Sequence, residues 1–158
     1  LQPLAIRQEV SCALECEELC KGRFDPDKLK KIVSNLVGNA IKYTQSGGSV
    51  RIKLGIVGIE GEGRELSLMV EDTGPGVAPE HLPHIFNRFY RIPENSIVDG
   101  SGIGLNLTKE LVDLWGGTIH TESPIHEDPD CPGIRFTVRL PIDLQYISNR
   151  GAAHEKAE

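Results

Sequence analysis

The sequence predicts a two-layer α/β sandwich: a mixed, mostly antiparallel sheet with helices packed on one face. Three observations carry this. Strand-like runs come in adjacent pairs, 49–57 with 65–71 and 118–122 with 134–140, each pair joined by a loop. Two amphipathic helical segments, ending near Tyr43 and at Gly116-Gly117, carry apolar residues at helical spacing. Strands and helices do not alternate as βαβ units, and no internal repeat is visible.

Taken in order, a helix is expected after Pro3, over about 3–20. Cys12, Cys16 and Cys20 then fall at i, i+4 and i+8, on one helix face. A metal or redox cluster is conceivable there, but the spacing matches no common zinc pattern, and Cys131 lies far off in a loop-like context. Small buried hydrophobes are the better reading, and a reducing setting fits. KGRFDPDK breaks the chain and starts the next helix: Asp25 suits the N-cap, Pro26 the first helical position, and Asp27 the positive end of the dipole. Leu29, Ile32, Val33, Leu36, Val37, Ala40 and Ile41 form its apolar stripe, and SGG at 46–48 ends it.

The first strand pair, joined by GIEGEGR, reads as a hairpin. DTGPGVAP is a turn with four Gly or Pro breakers. A short helix over 79–86 precedes an irregular stretch, 87–101. The next helix carries Ile103, Leu107, Leu111 and Leu114 on one stripe with Trp115 beside it. SPIHEDPDCPG joins the last two strands, and the polar residues 143–158 read as a linker or tail. The organisation expected is a lead-in over 1–23, one domain over 24–142, and that tail.

At 158 residues the chain suits a single core, and 39% hydrophobic with 25% charged residues is ordinary for a soluble protein. A net charge of −6 without a basic run argues against a nucleic-acid surface. Any bound polyphosphate must be met by a few local cations. No apolar run approaches the roughly 20 residues of a membrane span, so direct membrane contact is not expected.

The chemistry gathers around VDGSGIGLNLTKEL, 98–111. Glycines that open onto a helix leave backbone N–H groups and the helix dipole facing an anion. A P-loop is excluded because Lys109 lies five residues beyond Gly104 rather than directly after it. A dinucleotide loop is excluded because its third glycine would fall at Leu105. Elsewhere, Asn35, Asn39 and Lys42 share an arc of roughly 60° on their helix. Amide oxygens can ligate Mg²⁺ and an ammonium can meet phosphate; a solvated helix flank is the competing reading. In ELSLMVED, Leu66, Leu68 and Val70 alternate onto one face and Asp72 continues the phase. An inward carboxylate needs a partner, which a ligand amino group would supply; a strand-end cap is the alternative. Gly74 and Gly76 permit close backbone approach to a flat ligand.

NLVGNAIKYT (35–44), DTGPG (72–76), IFNRFYR (85–91), GSGIGLNLTKELV (100–112) and GIRFTVRLP (133–141) occur in that order. They resemble the N, G1, F, G2 and final boxes of the ATP-binding catalytic domain of sensor histidine kinases, of the superfamily shared with gyrase B, heat-shock chaperones and mismatch-repair ATPases. The resemblance spans about 25–142. It implies ATP and Mg²⁺ as cofactors, with Asn39 as the metal ligand assisted by Asn35, and Lys42 on a phosphate. Tyr43 would pack near the nucleotide and Asp72 would accept from the adenine amino group. Gly74 and Gly76 would shape the purine pocket, Phe86 and Phe89 would anchor a mobile ATP lid over 87–101, and Arg91 would stand near the terminal phosphate. Ser101, Gly102, Ile103, Gly104 and Leu105 would bring the G2 backbone to the phosphates.

The implied function is donation of the γ-phosphate to a histidine on a dimerisation domain absent from this chain, for relay to a response regulator receiver domain, in the cytoplasmic part of a sensor. His126 and His154 precede Glu, as a phosphoacceptor would, but neither lies in an N-terminal helical hairpin; His81 and His84 read as surface or lid-base residues. The family's usual strand ahead of the Asp25 region is not evident. A non-catalytic nucleotide-sensing module and an anti-sigma-type serine kinase are the alternatives of the same fold.

Overall fold

The computed structural model describes residues 1–16, 24–59, 63–93 and 101–142. Helix α1 (Gln2–Arg7) leads into strand β1 (Ser11–Cys16), and α2 (Pro26–Tyr43) is followed by β2 (Ser49–Ile59) and β3 (Gly63–Asp72). A 3-10 turn at Leu82–His84, helix α3 (Gly104–Leu114), β4 (Thr118–Glu122) and β5 (Ile134–Ile142) complete the order. The strands form one open sheet, β1-β2-β3-β5-β4. Only the β1–β2 pair is parallel; the other three pairs are antiparallel. The mixed, mostly antiparallel two-layer sandwich expected from the sequence is therefore observed.

The core lies between the sheet and the helices. Ile32, Leu36, Val37, Ala40 and Ile41 of α2 are buried with Val50, Leu66, Leu68, Val70, Phe136, Val138 and Leu140 of the central strands. These strand residues alternate, as the period-2 pattern requires. α2 starts where the sequence places it: Asp25 Oδ1 accepts from the backbone N–H of Asp27 (3.0 Å) and Lys28 (3.2 Å).

Five local expectations are corrected. The single helix over 3–20 is instead the six-residue α1 and the edge strand β1, separated by a turn with Glu9 at φ +55°. All six residues of β1 pair in parallel with Ser49–Leu54, a long-range pairing that local periodicity cannot reveal. The strand that seemed missing ahead of Asp25 is thus present. Cys12 and Cys16 share a face of this strand, because a spacing of four is even and satisfies both periods. They are exposed, not buried hydrophobes; Cys20 lies outside the described residues.

The helix over 79–86 shrinks to the three-residue 3-10 turn. In α3 the buried side is Thr108, Leu111 and Val112, while Leu107 and Leu114 are exposed, so the stripe is rotated from the one expected. Leucines on both faces made the sequence pattern ambiguous. The tail over 143–158 lies outside the described residues.

The outer face of the sheet carries a charge ladder across all five strands. Glu71 on β3 takes Arg51 of β2 on one carboxylate oxygen (2.9 Å) and Arg135 of β5 on the other (2.8 Å). Glu15 on β1 reaches Arg51 and Lys53, and Glu122 on β4 reaches Arg135. Alternating sign from strand to strand lets this face stay polar while Glu71 is buried with both oxygens satisfied.

Candidate functional site

The helix-side end of the sheet opens into a pocket between α2, the ends of β3 and β5, and the 75–77 turn, with part of its wall from 85–92. The packing of α2 determines what enters it. With Ile32, Leu36, Val37 and Ile41 turned to the core, the adjacent flank presents Asn39, Ala40 and Tyr43 to the cavity. The remaining wall is mostly apolar: Val77, Ile85, Leu105, Ile134 and Phe136. A slot with apolar walls and a few polar groups suits a flat heteroaromatic ligand with a charged tail.

Asp72 closes β3 in the inward phase and is only 5% exposed. Its Oδ1 accepts from Gly74 N–H at 2.8 Å, and the Ile134 backbone donates to the same carboxylate. Burial nevertheless dominates, pushing its pKa up to about 6. The two backbone bonds and the positive form of His126 pull the other way, and Glu71 adds a small upward push. A carboxylate buried in an apolar slot gains from a further donor beyond these two backbone groups, and an amino group would provide one.

The structure brings Asn39, Tyr43, Asp72, Gly76, Arg91 and Leu105 into one pocket, and Gly74 stands beside it through its bond to Asp72. Asn35 reaches the neighbouring helix instead: its Nδ2 donates to Gly104 carbonyl at 3.3 Å, an oxygen also bonded by Thr108 Oγ1 (2.9 Å). This joins the middle of α2 to the first turn of α3. The α3 N-cap is Ile103, with no side-chain cap, so first-turn N–H groups are open to an anion. Lys42 is not part of the pocket wall; its ammonium stands 5.6 Å from the Tyr43 ring centroid.

Phe86 turns to the core, edge-on to Phe136 at 6.2 Å. Phe89 is 63% exposed at φ +64°, with the Arg88 guanidinium over its ring. Its N–H donates to the Gly102 carbonyl (3.0 Å), so the two ends of the 87–101 segment meet. Ser101 is exposed, and residues 94–100 lie outside the described residues.

Sequence reasoning missed Ala40, Pro75, Val77, Ile85, Tyr90, Ile92, Ile134 and Phe136 as wall residues. Ile134 and Phe136 could have been found, since they continue the inward alternation of β5. Tyr90 could not: its place follows from His81, whose Nδ1 lies 2.7 Å from the phenol, and from His84, whose ring is tilted against it at 5.5 Å. Both histidines therefore pack against Tyr90 near the start of this segment.

Comparisons with known proteins bear on the family and the fold. A family model described as "Histidine kinase-, DNA gyrase B-, and HSP90-like ATPase" matches residues 24–144. The sensor protein kinase PmrB of Pseudomonas aeruginosa is 47% identical over 91 residues, covering 58% of this chain and 18% of that protein. The sensor histidine kinase CusS of Escherichia coli is 36% identical over 124 residues, 77% of this chain and 24% of its own length. Among solved structures, a mycobacterial sensor histidine kinase, MprB, superposes with a TM-score of 0.74 at 25% identity, covering 89% of this chain and 88% of that one. Full-length ShkA, solved in complex with AMPPNP, gives 0.71 at 28% identity, covering 89% of this chain and 27% of that one. The chain thus spans about a quarter or less of these curated relatives.

Proposed function

Because the chain belongs to the histidine kinase-, DNA gyrase B- and HSP90-like ATPase family, we propose that its pocket binds Mg·ATP and presents the γ-phosphate to a histidine on a separate dimerisation domain. The observation that carries this is the buried carboxylate of Asp72 in an apolar slot shared with Asn39 and with the first turn of α3. Adenine fits the slot with its amino group donating to the Asp72 carboxylate. The phosphates then extend toward the uncapped N-terminus of α3. AMPPNP in the related ShkA supports the same ligand class.

The residues present fit a magnesium ion. Among the described residues no group of three or more His, Cys, Asp or Glu converges. The amide oxygen of Asn39, which lines the pocket, would hold the ion together with phosphate oxygens, with Asn35 assisting from beside the pocket, a hard donor set of the kind Mg²⁺ prefers. The ion would neutralise phosphate charge; the chain's own residues orient the nucleotide. Asn39→Ala is expected to weaken ATP binding about fivefold more in Mg²⁺ than in EDTA, measured by calorimetry. Equal losses in both would remove the ligand role.

Transfer breaks the bond from the γ-phosphorus to the ADP oxygen and forms one to an imidazole nitrogen, whose proton leaves to a base outside this chain. Positioning and charge stabilisation suffice for such a reaction. The isolated chain is expected to bind ATP and hydrolyse it barely; vigorous turnover would contradict the reading. Supplying a dimerisation domain in trans with labelled ATP is the decisive assay. Acid-labile phosphate supports the histidine kinase, acid-stable phosphate an anti-sigma-type serine kinase, and binding without transfer a nucleotide-sensing module. Among the described residues no helix is long and apolar enough to cross a membrane. We place the chain in the cytoplasmic part of a sensor that hands phosphate to a response regulator.

A further inference from the structure

The β4–β5 loop does more than connect two strands. Ser123, the first residue after β4, is half-buried, and its hydroxyl serves two distant backbone groups at once. It accepts from Val77 N–H at 2.9 Å and donates to Gly133 carbonyl at 2.8 Å. Gly133 N–H in turn donates to Gly74 carbonyl at 3.0 Å, and Gly74 N–H donates to Asp72 Oδ1 at 2.8 Å. The chain itself runs from Gly74 to Val77. These bonds therefore close a ring around the turn after β3, with the Ser123 hydroxyl as its only side-chain link apart from the Asp72 carboxylate.

The packing around the ring leaves no slack on the serine side. Gly76 sits at φ +64°, and a Cβ there would meet Ser123 Oγ at 2.8 Å and Gly133 carbonyl at 3.0 Å. The loop is itself tied off, since Ile125 and His126 N–H groups both donate to the Pro132 carbonyl (2.8 and 3.0 Å). Asp72, Gly76 and Val77 all line the pocket. The ring thus fixes the acceptor carboxylate and the wall beside it as one unit.

We propose that Ser123 is a positioning residue for base selection: it holds the 74–77 turn so that Asp72 meets an amino group and rejects a carbonyl. This rests on the nucleotide reading above. A 6-amino purine offers a donor to the Asp72 oxygen, whereas a 6-oxo purine places an acceptor against it and leaves the carboxylate unpaired. Discrimination of that kind depends on the carboxylate staying put. Removing the hydroxyl frees Val77 N–H and Gly133 carbonyl together, and the turn can then shift to relieve the mismatch.

The test is calorimetry of ATP and GTP with the 158-residue chain and with Ser123→Ala and Ser123→Thr. Wild type is expected to favour ATP. Ser123→Ala is expected to lose roughly tenfold in that preference, mainly through weaker ATP binding, and Ser123→Thr, which keeps the hydroxyl, to return within about twofold of wild type. A merely structural serine would lower the melting temperature and weaken both nucleotides alike, leaving the ratio intact; that result overturns the proposal. If Ser123→Ala fails to fold, Ser123→Cys, of similar size but with only a weakly hydrogen-bonding thiol, takes its place: a lowered ATP-over-GTP ratio supports the proposal and an unchanged ratio overturns it. A wild type without preference for ATP would instead refute the underlying nucleotide reading.

Discussion

Replacing Asp72 with asparagine is expected to lower ATP affinity by ten- to a hundredfold, on the order of 1.5–3 kcal/mol. The geometry explains why so small a change costs so much. One carboxylate oxygen is already engaged by Gly74 N–H, the Ile134 backbone donates to the same group, and the residue lines the pocket. An amide has one acceptor and one donor group. Whichever way the asparagine is turned, its NH2 faces either the Gly74 N–H or the adenine amino group, donor against donor. Calorimetry with ATP reads the loss directly, and unchanged affinity would mean that Asp72 does not contact the base.

The same substitution is expected to have the opposite effect on the unliganded protein. Burial raises the Asp72 pKa from 3.8 to about 6, so the native state holds this proton more tightly than the unfolded chain. The sign follows: ionised Asp72 is a penalty at neutral pH, and the penalty is relieved as pH falls through about 6 toward 4. Its size is on the order of 2–3 kcal/mol. Apo Asp72→Asn should therefore melt higher than wild type at pH 7.5, with the gap closing by pH 5. Nucleotide affinity should show the reverse trend, wild type weakening below pH 6 more steeply than the variant. The variant also serves as the control for titration of the phosphates. A gain in function traded for stability is what a binding carboxylate in an apolar slot implies.

Asp72 was legible in the sequence because two one-dimensional signals coincide there: the period-2 phase of Leu66, Leu68 and Val70, and the glycines that follow. The α2 flank was legible for a similar reason, since the seven-residue apolar stripe fixes the helix rotation and thereby Asn39. What the sequence could not show is what depends on register. Glu71, next to Asp72 but on the opposite face of the strand, is buried because Arg51 and Arg135 stand opposite it on flanking strands. β1 reads as the continuation of the helix expected after Pro3, its cysteines at a spacing of four do not contradict that, and only its pairing with β2 decides otherwise. Ser123 carries no local signal at all, since its two partners lie 46 and 10 residues away.

The glycines of GSGIG divide by what each is needed for, and two alanine substitutions separate the cases. Gly102 sits at φ +69°, and a Cβ there would lie 2.9 Å from the Phe89 carbonyl carbon and 2.9 Å from Tyr90 carbonyl oxygen. Both are backbone atoms that cannot swing aside. Gly102→Ala is expected to cost about 1–3 kcal/mol of stability from the left-handed conformation and the crowding. Parting the Phe89–Gly102 hydrogen bond also moves Tyr90 and Arg91 in the pocket wall, so ATP affinity should fall at least about tenfold. Gly104 is different: a Cβ there meets nothing nearer than the Asn35 amide at 4.0 Å, and the residue opens a helix. Gly104→Ala is expected to leave stability unchanged or raise it by up to about 1 kcal/mol, because alanine is the better helix former. If ATP phosphates approach this backbone, it should still weaken ATP binding severalfold while leaving adenosine binding unaffected. Retention of full ATP affinity by Gly104→Ala would mean that the phosphates do not lie on the first turn of α3. Full affinity and stability in Gly102→Ala would mean that the two ends of the 87–101 segment need not meet as they do here.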